Sequence, residues 1–88
     1  MPKNPADPYE HTPTAMVFDI LTETSNTLVG LLMHRSDTAT DPVVREEWWQ
    51  RVLAVRNTLR TVDPYDRLAL LERISLWKAE IETLQVPR

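Results

Sequence analysis

The chain offers two histidines, His11 and His34, as bases, and it contains no cysteine nucleophile. Activating a nucleophile requires a base and an orienting group at hydrogen-bond distance. His11 stands among prolines. His34 stands near the end of a helical segment, where a cation complements the helix C-terminus. Both read as solvated histidines rather than bases. No His-x-x-x-His pair occurs, and the adjacent Glu46 and Glu47 diverge by about 100° on a helix. They read as first-turn acids of that helix, not as metal ligands. One glycine is too few for a glycine-rich phosphate loop, and the absence of Cys excludes thiolate zinc and disulfide frameworks. The expectation is a non-enzymatic protein with no catalytic residue, cofactor or metal.

A second constellation is suited to binding. Arg45, Trp49, Leu53, Arg56 and Arg60 fall within about 80° of one another on a helix. Trp and Arg dominate interface hot spots because each combines large area with a polar handle. The stripe reads as a docking face for an acidic or mixed protein partner. The competing reading is intramolecular: Trp49 widens the core while the arginine stems lie over it with their heads in water. An alternative function, a small regulator contacting nucleic acid, would use the same arginines, extended by Arg51 and Arg67. Charge disfavours it. Residues 41–88 carry 8 basic and 8 acidic groups, and residues 1–40 carry 2 and 5. A DNA-binding domain gathers a clear positive excess.

The elements behind these residues are punctuated by proline. Asp41-Pro42 and Asp63-Pro64 each precede an apolar periodic segment. Asp caps exposed N–H groups, and Pro at the first helical position sacrifices no hydrogen bond. This predicts an all-α fold with helices over 14–35, 42–62 and 64–85, the first capped by Thr12 or Thr14. Residues 36–41 form a polar link. Residues 1–12 read as a flexible Pro-rich arm and 13–88 as one helical domain. Tyr9 is a candidate to pin the arm, and Tyr65 to pack at the same end of the bundle.

Helix one presents Met16, Val17, Phe18, Ile20, Leu21, Leu28, Val29, Leu31 and Leu32 over more than half its circumference, wider than the ~100° stripe of a surface helix. Helix two has the seam Val44, Trp48, Val52, Val55, Leu59, Val62. Helix three has Leu70, Ile74, Trp77, Ile81, Leu84, widened by Leu71. Matched 3–4 seams and a tight link predict a three-helix bundle, or a long antiparallel hairpin of helices two and three with helix one packed across it. So much apolar helix surface on 88 residues predicts self-association, with a homodimer as the commonest closed form. No apolar run approaches the ~20 residues that span a bilayer, and no secretory signal is visible. A cytoplasmic protein without membrane association is expected.

The segment Leu31-Leu32-Met33-His34-Arg35 is similar to the Leu-Leu-x-x-Arg ending of the first helix in small all-helical chorismate mutases. The likeness covers five residues, and that family's further pocket residues have no counterpart that can be placed here.

Overall fold

A computed structural model describes residues 8–85. It is an all-α three-helix bundle: α1 Thr14–Thr38, α2 Pro42–Thr61 and α3 Arg67–Gln85. No strand occurs among the described residues. Most of the expected arm, residues 1–7, lies outside them.

The local rules place the helix ends, with three departures. Asp41 caps α2 as expected: its Oδ1 accepts from the Val43 N–H at 2.9 Å, with Pro42 at the first helical position. At α1 the cap position is Pro13, with no side-chain cap. The Thr14 hydroxyl is engaged elsewhere, accepting from Arg67, which also bonds the Thr12 carbonyl. α1 also runs to Thr38 instead of ending at Arg35. Ser36 is buried, and its hydroxyl donates to the Arg45 carbonyl at 3.0 Å, so the expected link is drawn into the helix. Finally, α3 begins at Arg67, not at Pro64. The Asp63 carboxylate accepts from the Tyr65 N–H and its carbonyl from the Asp66 N–H, closing a turn over Pro64. Asp66 then becomes the cap by accepting from the Ala69 N–H at 3.1 Å. Glu46 and Glu47 lie beyond the first turn of α2, which holds no acid; the Glu46 carboxylate accepts from Gln50.

The packing differs from a hairpin with an added helix. α1 is the central element, and α2 and α3 each pack along it, whereas no described Cα of α2 comes within 8 Å of one in α3. The order is up, down, up. The cause lies in side-chain size. α1 buries the small Thr24, Ser25 and Ser36 among Val17, Leu21, Leu28 and Leu32, which admits close neighbours on both flanks. Between α2 and α3 stand Trp77 and the Arg51–Glu80 ion pair, which hold those helices apart. The buried hydroxyls carry no penalty. Thr24 donates to the Ile20 carbonyl and Ser25 to that of Thr22, each at 2.7 Å.

The core is Val17, Leu21, Leu28, Leu32, Val52, Val55, Leu70, Ile74 and Trp77, so the expected seams supply it. Met16, at 55% exposure, and Val44, at 38%, fall outside. Phe18, Ile20, Val29, Trp48, Trp49, Leu59, Val62, Leu71, Ile81 and Leu84 pack around the core half-buried.

Gly30 sits on the exposed side of α1. A Cβ there would meet nothing within 4 Å, and no glycine has positive φ. The helix therefore loses propensity without local need. Gly30→Ala is expected to raise stability by about 1 kcal/mol, read as a higher urea midpoint in dilute solution.

Candidate functional site

All five stripe residues lie on one side of α2, toward its outer edge with α1. Trp49 is half-buried against the core and Leu53 is 40% exposed. One portion of Trp49 packs inward on the core and the rest faces water. The three arginines are exposed. Arg45 Nη2 donates to the Ala39 carbonyl at 2.9 Å, and Arg60 Nη2 to Asn57 Oδ1 at 3.1 Å. None of the three pairs with a carboxylate among the described residues.

The two arginines expected to extend the stripe do not. Arg51 faces α3, pairs with Glu80, and lies 5.0 Å from the Trp48 ring centroid. Arg35 approaches the same ring at 5.6 Å and donates to the Leu84 carbonyl at 2.7 Å. Trp48 is thus clamped by two guanidiniums, a favourable use of the ring quadrupole. Arg35 also satisfies a last-turn carbonyl of α3 that has no intrahelical partner. This occupies the arginine of the Leu-Leu-x-x-Arg segment structurally. Local sequence carried no signal for the clamp, because Arg35, Trp48 and Leu84 meet only in the folded bundle.

Arg67 is half-buried and holds the described part of the arm. It donates to the carbonyls of Tyr9 and Thr12 and to the Thr14 hydroxyl. Tyr9 packs on the core, and its phenolic oxygen accepts from Lys78 Nζ at 2.8 Å. Beside it lies an open cleft of about 350 Å³ lined by Pro8, Leu71, Ile74, Ser75 and Glu82, among others. Tyr9 thus pins the arm, whereas Tyr65 is 88% exposed and does not join it. Arg67→Ala is expected to release residues 8–12 while the helices stay folded. Limited proteolysis would show earlier cleavage near Thr12 with unchanged helical circular dichroism.

His11 is exposed beside Glu10 at 3.5 Å, and His34 is exposed. Among the described residues no three His, Cys, Asp or Glu side chains are grouped to hold a metal ion. No described helix is long and apolar enough to cross a membrane.

Outside the stripe, Met33, Val43, Val44, Leu68 and Leu76 are also exposed. Met33 and the half-buried Val29 lie on the flank of α1 next to the stripe. No protein-family model, curated protein or solved structure matches the chain significantly.

Proposed function

We propose that the protein is a non-enzymatic helical interaction module, acting in the cytoplasm as an adaptor, assembly factor or inhibitor. It docks through Arg45, Trp49, Leu53, Arg56 and Arg60 and self-associates as a homodimer. The observation that carries this reading is a half-buried Trp49 and an exposed Leu53 set among three arginines without carboxylate partners among the described residues. An aromatic anchor with arginines is the composition of an interface centre. The unpaired guanidiniums add attraction for carboxylates on the docking surface.

The test is sedimentation equilibrium of the full chain from ~10 μM to ~1 mM, a span that detects weak dimers. A mass rising with concentration, and lowered by the Trp49→Ala/Leu53→Ser double substitution, supports the reading. A constant monomer mass overturns self-association. The same arginines fit the nucleic-acid alternative, which a salt titration with duplex DNA separates. Phosphate contacts weaken steeply with salt, and an apolar anchor does not.

A further inference from the structure

The partner of the stripe can be read from α1, because the face that α1 and α2 share is complementary to itself. Its vertical register is set at both ends. At one end Ser36 bonds to the Arg45 carbonyl, so these residues lie level. At the other, Phe18 and Asp19 share a cleft with Pro64 and Tyr65, just past the end of α2. Equal rise along two antiparallel helices carries the pairing between. Met33 is level with Trp48, Gly30 with Arg51, Val29 with Val52, and Asp19 with Val62. Arg45 therefore lies within about 1.5 Å of the level of Asp37, and Arg60 within about 3 Å of that of Asp19.

On this face α1 exposes Asp19, Asn26, Gly30, Met33 and Asp37, and α2 exposes Arg45, Leu53, Arg56 and Arg60. Acid stands at both ends of α1; on α2 an arginine stands at each end, with Glu46, held by Gln50, beside Arg45. Apolar groups lie between: Val29 and Met33 on α1, Trp49 and Leu53 on α2. Neither Asp19 nor Asp37 forms an ion pair among the described residues.

We infer that this face binds a second copy of the chain about a two-fold axis parallel to the helices. Such an axis sets α1 against α2 of the second copy and leaves every residue at its own level. Asp37 then meets Arg45, and Asp19 meets Arg60, each contact occurring twice. Met33 and Val29 meet Trp49 and Leu53. Gly30, level with the gap between those two side chains, offers no side chain of its own. The product is an antiparallel four-helix layer closed by charge at its ends. This inference rests on the self-association proposed above and adds the face, the axis and the pairs.

The test uses two full-length variants: D19R/D37R and R45D/R60D. All four residues are exposed, and circular dichroism checks that each variant keeps its helices. Each variant alone would set like charge against like charge at every one of these contacts, and its dimerisation is expected to weaken at least ~10-fold. In an equal mixture, the arginines at positions 19, 37, 45 and 60 of the first variant can meet the aspartates at the same positions of the second. Every contact then joins opposite charges, and a heterodimer is expected to form. Wild-type dimers indifferent to both substitutions would overturn this face while leaving self-association standing. Variants that weaken singly but do not recover on mixing would overturn the two-fold pairing. A wild-type chain that stays monomeric would overturn both.

Discussion

Trp77→Ala is expected to remove about 3–5 kcal/mol of folding free energy, a large share of the margin of so small a domain. Trp77 is 4% exposed and occupies the space between α2 and α3. Those helices do not approach each other closely, so they cannot collapse onto the vacancy without leaving α1. A cleft of about 160 Å³ already adjoins the ring, lined by Arg51, Val55, Thr58, Arg73 and Glu80 among others. Truncation would open the core to that cleft and to water. Arg73 would also lose the ring that it approaches at 5.7 Å. At roughly 0.05–0.15 kcal/mol per residue, a domain of this length holds about 4–13 kcal/mol in total. Urea denaturation at 25 °C would then show a strongly reduced midpoint or no folded baseline. Trp77→Phe should retain more than half of the lost stability. A loss below about 1 kcal/mol for the alanine variant would mean that α2 and α3 do not depend on this wedge.

Leu28→Ala is expected to cost about 2–5 kcal/mol, and it tests which helix is central. Leu28 is fully buried on the face of α1 that meets the core. If α1 merely lay across a finished hairpin, removing one of its leucines would loosen α1 and leave α2 and α3 paired. In the observed packing both outer helices rest on α1, so the loss falls on the whole bundle. Thermal unfolding should remain a single transition, lowered by about 4–8 °C for each kcal/mol lost. Two separated transitions, with the α2 and α3 amides protected through the first, would contradict a central α1.

The same contrast explains what the sequence could and could not reveal. Helix identity was legible because the apolar spacing is local, and Asp41-Pro42 marked its boundary because a cap acts over two residues. Asp63-Pro64 misled by one turn. The same local chemistry, an Asp side chain accepting from the backbone, can close a turn as readily as start a helix, and Asp66 took the capping role. The helix order in space was not legible. It depends on the size of side chains that meet across the bundle, with Thr24 and Ser25 on one side and Trp77 on the other. Matched seams on α2 and α3 carry no information about that spacing.

The stripe was legible in part. Its five residues do share one side of α2, because angular position follows from spacing alone. Arg51 and Arg67 left it for partners distant in sequence, Glu80 and the carbonyls of the arm. Asp19, Met33 and Asp37, which the proposed two-fold contact sets against the stripe, gave no sign in sequence. Their relation to the stripe appears only when the Ser36–Arg45 contact fixes the register of α1 against α2.

The proposed two-fold pairing sets Met33 of one chain against Trp49 of another. It can be observed in a sample that mixes isotopically labelled and unlabelled chains, where a filtered nuclear Overhauser experiment reports intermolecular contacts alone. Cross-peaks between the Met33 methyl and the Trp49 indole, growing with protein concentration, are the predicted result. Intermolecular cross-peaks confined to Leu68 and Leu76 on the far side of α3, or none at any concentration, would contradict it.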